Sequence, residues 1–246
     1  MNTILLFKKI IKRLKRVTNT CIATIKAPFL GVKFIKPDHL YLSRLDASSV
    51  VVDVGCGSDA DFSVELIARH GVTSYVVDPT KKHRSSLCEL EKKMNGHLIH
   101  IPVAVSAYDG ELVFHESKEN MSGSLIESHH NIQRDTVENY SVPSLTIASL
   151  LRKIGLSSAN FLKLDLEGAE YDLIRNTGSS IFRSFDQICI EFHHHCIDSI
   201  SFEEALENTR GIFRTRAEIL GIKLPTDFDA YTIDQMDNFF VSALNE

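Results

Sequence analysis

The chain predicts an α/β fold on a doubly wound, mostly parallel sheet with helices on both faces, and three observations predict it. Short β-branched or apolar runs alternate with helix-length segments, as they do where strands are covered on both sides. Glycines punctuate the first strand-to-helix turn and the helix that follows, at Gly55, Gly57 and Gly71. Carboxylates stand just past several strand signals, where open parallel sheets bind their ligands.

Val50-Val51-Val52-Asp53-Val54 is a β-branched run stopped by Gly55, and residues 60–70 read as a helix ended by Gly71. Ser74 to Val77 gives a second strand, Lys82 to Asn95 a second helix and Leu98 to Val105 a third strand. The rhythm then breaks. Residues 109–146 hold Asp109-Gly110 between short apolar runs, a hairpin signal, then a polar stretch through Glu138, so a lid or substrate loop is expected there. The pattern resumes with a helix over Leu145 to Ile154, an apolar strand over Asn160 to Leu166 and a helix from Glu167 to Asn176, with Gly178 as its stop. Gln187 to Phe192 is a fifth strand, 202–219 a helix, and 222–224 and 238–243 closing strands.

A chain of 246 residues makes one large domain, or one domain with an appendage, and can bury a full core without staples. With 43% hydrophobic and 24% charged residues, it is neither a disordered chain nor a disulfide scaffold. The net charge of −5 divides unevenly: residues 1–37 carry nine Lys/Arg and no acid, which leaves 18 basic against 32 acidic side chains over 38–246. Two parts are therefore expected, a basic segment over 1–37 and a catalytic-type domain over 38–246.

Within the first part, Ile4, Phe7, Ile10, Ile11, Leu14 and Val17 share one helical face, and Lys8, Lys9, Lys12, Arg13, Lys15 and Arg16 fall mostly on the other. A basic amphipathic helix attaches to an anionic membrane surface through residues 1–20, or else packs its apolar stripe on the body or a second copy. Only four consecutive apolar residues precede the charges, too few for a signal-peptide core or a membrane span. Five scattered cysteines without C-x-x-C spacing suggest neither a zinc knuckle nor a disulfide framework. The expected setting is cytoplasmic, with peripheral contact at the cytoplasmic membrane face as an option. The acidic body lacks tryptophan and basic-aromatic alternation, so a nucleic-acid partner is not expected.

The chemistry concentrates in two stretches. Asp53-Val54-Gly55-Cys56-Gly57 follows the first strand, and Asp78 stands at the end of the second, 21 residues beyond Gly57. Glycines let a ligand approach the backbone, and a carboxylate so placed accepts hydrogen bonds from ribose hydroxyls. An adenosine-type cofactor is implied. Asp53, with Asp59 and Asp61 nearby, suits the cationic sulfonium and ammonium of S-adenosylmethionine better than a dinucleotide pyrophosphate.

The second stretch is Phe161 to Glu170, in which Asp165 and Glu167 leave a strand at its carboxyl end. Carboxylates there point to hydroxyl activation, with Asp165 the first choice for base. Asp165 has two other readings, a ligand of the cofactor's methionine end or an orienting group. Glu167 and above all Glu170 also read as ordinary first-turn acids favoured by the helix dipole. Ile190-Glu191-Phe192-His193-His194-His195 ends the fifth strand. Neighbours on an extended segment point in alternating directions, so the three histidines cannot all face one ion, and no metal site is assigned. Glu191 or His193 is the better auxiliary base or donor. His129 and His130 carry no readable signal.

Residues 51–57 (VVDVGCG), 76–79 (VVDP), 102–114, 142–151, 161–176 (FLKLDLEGAEYDLIRN) and 188–193 resemble, in order and spacing, the FkbM-type S-adenosylmethionine-dependent methyltransferases over about residues 48–195. The K-x-D-x-E-G-A-E run is the most specific part. The resemblance implies a Rossmann-like class I methyltransferase sheet and O-methylation, often of a sugar hydroxyl in a glycan, antibiotic or lipid-linked saccharide. By position it puts Asp53, Gly55 and Gly57, with Cys56 in the same loop, at the cofactor's methionine end and Asp78 at its ribose. Ala104 and Val105 then lie near the adenine, and Asp165 and Glu167 at the reaction centre. Two departures stand out: the glycine loop is one residue longer than the family pattern, and Ala148 stands where an Asp is common. Two other readings remain, a non-catalytic scaffold with a degenerate methyltransferase fold and a NAD-dependent oxidoreductase.

Overall fold

The computed structural model describes residues 32–35, 39–42, 45–177, 179–191, 193 and 238–242. The expected amphipathic helix, the helix over 202–219, the strand over 222–224 and the stop at Gly178 lie outside them.

A hairpin, β1 (Val32–Ile35) with β2 (His39–Leu42), precedes the first predicted strand, β3 (Val50–Val54). Helix α1 (Asp61–His70), β4 (Thr73–Val77), a 3-10 turn over Lys81–His83, α2 (Arg84–Lys93) and β5 (Leu98–Ile101) follow. The predicted strand over 98–105 divides here. Pro102 supplies no N–H to a ladder, and Ala104–Val105 (β6) leaves for a second sheet. That sheet continues through β7 (Gly110–Ser117), β8 (Gly123–Ser124), the short α3 (His130–Gln133) and β9 (Val137–Leu145). Then come α4 (Ile147–Lys153), β10 (Ala159–Leu164), α5 (Glu170–Asn176), a 3-10 stretch Ser179–Ser184, β11 (Phe185–Glu191) and β12 (Asn238–Ser242).

The main sheet runs β12-β11-β10-β3-β4-β5, parallel throughout except for antiparallel β12. Its two faces follow from the period of two in a strand. Val51, Phe161 and Cys189 pack with Phe62 and Leu66 of α1, while Val52, Val54, Leu162, Leu164, Ile188 and Ile190 pack with Leu150 and Leu151 of α4 and Tyr171 and Leu173 of α5. Helices on both faces of a mostly parallel sheet make the fold a Rossmann-like α/β fold. From β3 the chain winds outward to β4 and β5, then returns to lay β10 on the other side of β3 and winds outward again. The crevice at this reversal, past the carboxyl ends of β3 and β10, is where such sheets bind ligands.

The region after β5 corrects the sequence in one respect. Asp109-Gly110 is not the tip of the hairpin: Gly110 pairs with Ser144, so Asp109 sits at the open end and the connection lies over 118–136, past the Ser117–Val137 pair. The polar stretch expected as a loop is mostly that connection, with β8 and α3 inside it, and only its end enters β9, which runs antiparallel to β7 from Val137 to Ser144. Asp109 instead accepts from Thr146 N (2.7 Å) and Ser149 Oγ, and so supplies the acidic charge at the start of α4 that Ala148 does not. Phe114 and Val142 with Ala104 form the small core of this second sheet. Among the described residues, no helix is long and apolar enough to cross a membrane.

Candidate active site

The glycine turn after β3 is built by close approach. Gly55 takes φ 75° and donates to Val77 O at 2.9 Å, and an added Cβ would stand 1.7 Å from Asp165 O. Gly57, at φ 69°, donates to Asp78 Oδ2 at 3.1 Å. Asp78 also accepts from Thr80 N at 2.9 Å and faces His83 Nδ1 at 3.4 Å. Burial works against its charge, but His83 and Thr80 outweigh burial and hold the carboxyl below the usual range. An ionised Asp78 at the tip of β4 is thus fixed against the glycine loop. The longer loop closes through Ala60, which takes left-handed backbone at φ 43°.

Asp53 lies elsewhere than the sequence placed it. It is wholly buried under the turn, accepting from Ser63 Oγ of α1 at 2.6 Å, with Lys163 Nζ 3.4 Å from Oδ1. Register explains this: Asp53 and Lys163 are paired on adjacent parallel strands and point to the α1 face. Asp53 therefore bears on the cleft through Lys163 rather than by contact. Cys56 is likewise buried under the loop, its thiol pushed well up by burial and by Asp78 and Asp53.

Lys163, which the sequence quoted in its motif without a role, ties the site together. Its Nζ donates to Gly55 O (3.1 Å) and to Asp165 Oδ2 (3.2 Å) as well as facing Asp53. Burial disfavours the ammonium, but Asp53 and Asp165 outweigh burial and raise its pKa.

Asp165 and Glu167 reach the cleft as expected, with partly exposed side chains. The predicted helix start at Glu167 is displaced. Glu167 takes left-handed backbone at φ 48°, followed by Gly168 at φ 101°, and α5 begins only at Glu170. Burial raises the Glu167 carboxyl, but His129 and His193 lower it by more, so it stays ionised.

Glu170 does stand in the first turn of α5, as the sequence suggests. It is wholly buried; its Oε1 accepts from Leu166 N at 2.8 Å and lies 2.8 Å from His193 Nδ1. The far ring nitrogen, His193 Nε2, faces Asp165 Oδ1 (3.6 Å), Glu167 Oε2 (3.7 Å) and Glu191 Oε1 (3.8 Å). Burial opposes the imidazolium, but Glu170, Glu167 and Asp165 outweigh it and raise His193 to about 11. Glu191 is pushed up to about 7, first by burial and then by Asp165. One ligand atom each of Asp165, Glu170 and His193 lies within 4.8 Å of the others, a group of the size that holds a divalent ion. The imidazolium itself already balances these carboxylates.

His129, for which the sequence offered no reading, is fully buried with Nε2 3.0 Å from Glu167 Oε2. Only the tertiary fold, which carries 123–130 from the second sheet across the end of β10, could have revealed it.

One cleft gathers most of the expected residues: Gly55, Gly57, Asp78, Ala104, Val105, Asp165 and Glu167 all line it. His193 backs its acidic end, and Asp53 and Cys56 lie beneath its floor. A glycine cradle, an ionised acid at the tip of β4, an apolar slot of Val77, Val103 and Val105, and carboxylates at the far end fit a nucleoside carrying a cationic tail.

Comparison with known proteins accords with this. No protein of curated function matches the chain significantly. The crystal structure of a fibrillarin/Nop5p complex is similar at 14% identity and TM-score 0.40, covering 68% of this chain and 62% of that one, so the chain spans somewhat under two thirds of that relative. The structure of M. capricolum TrmK with the natural cofactor product S-adenosyl-homocysteine is similar at 8% identity and TM-score 0.35, covering 76% of this chain and 88% of that one. A likeness that low carries no argument about the site. The family model of the methyltransferase FkbM domain matches residues 51–239, from the glycine-loop strand to the antiparallel edge strand, and the chain belongs to that family of methyltransferases.

Proposed function

We propose that this protein transfers a methyl group from S-adenosylmethionine to a hydroxyl, most plainly one on a saccharide or another hydroxyl-bearing small molecule. One observation carries the reading: the glycine cradle with Asp78 and the carboxylates Asp165 and Glu167 are walls of the same cleft. When bound, the cofactor supplies a methyl on a sulfonium and departs as a neutral thioether. The chain's residues do the rest. Gly55 and Gly57 let a ligand lie on the backbone, Asp78 accepts from a ribose diol, and Ala104 and Val105 flank the base.

At the acidic end, Asp165 and Glu167 accept from the acceptor hydroxyl and align its oxygen for in-line attack, and one of them receives the proton as the carbon–oxygen bond forms. Lys163 holds Asp165 in place, and the imidazolium of His193 steadies the group. The cleft's negative field favours a neutral or cationic acceptor over a phosphorylated one. Residues 1–20 lie outside the described structure, and we keep for them the proposal of contact with an anionic membrane.

The test is calorimetry with S-adenosylmethionine and with NAD, followed by labelled-methyl transfer to a panel of saccharides. Saturable binding of the first alone, with Asp165→Asn binding normally but losing at least 100-fold in transfer, is the expected result. No saturable binding overturns the reading.

A further inference from the structure

We propose that His129, delivered by the second sheet, is the positioning residue that sets the Glu167 carboxylate in the cleft, so that the second sheet completes the active site. The inference rests on the methyl-transfer reading for its function, but its geometry stands apart from it. Glu167 holds left-handed backbone at φ 48°, a conformation that non-glycine residues keep only where their surroundings over-determine it. Two contacts from one segment do so. Ser124 Oγ donates to Glu167 O at 2.6 Å, and His129 Nε2 stands 3.0 Å from Glu167 Oε2.

The segment is held by its own hydrogen bonds. Ser124 Oγ accepts from Ile126 N at 2.9 Å, His129 N donates to Ile126 O at 3.2 Å, and His129 O receives Ile132 N and Gln133 N at 2.9 and 3.0 Å, with Ile132 buried. The two cleft carboxylates are thus oriented from different sheets. Asp165 is held from the main sheet by Lys163, and Glu167 from the second sheet by Ser124 and His129.

The titratable groups that face Glu167 are His129 and His193, with Asp165 and Glu191 beyond the His193 ring. Removing the His129 donor leaves Glu167 less well held as a carboxylate. Replacing His129 by Phe keeps an aromatic ring but no donor, and by Gln restores a donor.

The experiment is a carboxyl 13C NMR titration of the full chain, with Glu167 assigned through Glu167→Gln, alongside calorimetry with S-adenosylhomocysteine. His129→Phe is expected to raise the Glu167 midpoint by at least one pH unit and leave that of Asp78 in place, and His129→Gln to restore at least half the shift. Labelled-methyl transfer to the best saccharide acceptor falls at least tenfold in His129→Phe with KM for S-adenosylmethionine unchanged, and recovers in His129→Gln. A Glu167 midpoint that moves by less than half a unit overturns the proposal. Should His129→Phe not fold, His129→Ala and Ser124→Ala are read by the same titration, and unmoved midpoints in both overturn it equally. Failure of wild type to bind S-adenosylhomocysteine instead removes the methyl-transfer reading and leaves the titration result intact.

Discussion

A Cβ placed on Gly55 would stand 1.7 Å from the carbonyl oxygen of Asp165, so the glycine turn and the acidic strand end are in backbone contact at the reversal of the main sheet. Gly55→Ala must push that contact open and also strains φ 75°. It should cost about 2 kcal/mol or more in urea unfolding and weaken S-adenosylhomocysteine at least tenfold. Gly57→Ala is the contrasting case. Nothing lies within 4 Å of its added Cβ, so only the φ 69° strain applies, about 1 kcal/mol by the same measurement.

Lys163 gives the second prediction. Its ammonium is the cation between buried Asp53 and Asp165. Lys163→Met should destabilise the chain by about 3–5 kcal/mol, because a wholly buried carboxylate loses its partner. Asp53→Asn with Lys163→Met should recover a large part of that loss. Strictly additive effects in chemical denaturation would contradict the coupling.

How much of this was legible beforehand follows from the range of each interaction. The strands β3, β4, β10 and β11 announce themselves as apolar runs, and the glycines and Asp78 as turn chemistry, all local signals. Asp53 was misplaced because its direction depends on its register against Lys163, a pairing across more than a hundred residues. Glu170 read only as a first-turn acid, since nothing local reveals that it is buried and that His193 closes over it. His129 lay in a segment whose strands pair over distances that a polar composition conceals. The hairpin tip was misread because Asp-Gly also serves as a helix-capping approach, as Asp109 does for α4.

The acidic end predicts a stability that falls with rising pH. Glu191 binds its proton more tightly folded (about 7) than unfolded (about 4.5), so folding is favoured below pH 4.5 and the benefit is lost as pH rises to 7. His193, raised to about 11, stabilises fully below its ordinary value of about 6.5 and loses this as pH climbs toward 11. Glu191→Gln should therefore leave stability at pH 4 unchanged and raise it at pH 8 by about 1–3 kcal/mol. Denaturant midpoints across pH 4–10 check both limbs, and the upper limb should survive in the variant.

Asp78 has the opposite sign. Its folded pKa lies below the ordinary value, so its contribution is present above that value and is lost as pH falls through the folded pKa. Asp78→Asn keeps an oxygen for Thr80 N but turns an NH2 toward the Gly57 N–H, setting two donors against each other where a carboxylate oxygen accepted. The loop must shift or leave Gly57 N unpaired, at about 1–3 kcal/mol. S-adenosylhomocysteine should bind at least tenfold more weakly, about 1.4 kcal/mol, if the loop and the ribose share this carboxylate as proposed. Asp78→Glu offers the same charge from a longer arm and should recover stability above pH 5 better than affinity. Paired calorimetry and urea unfolding of the two variants separate the carboxylate's hold on the loop from its hold on the ligand.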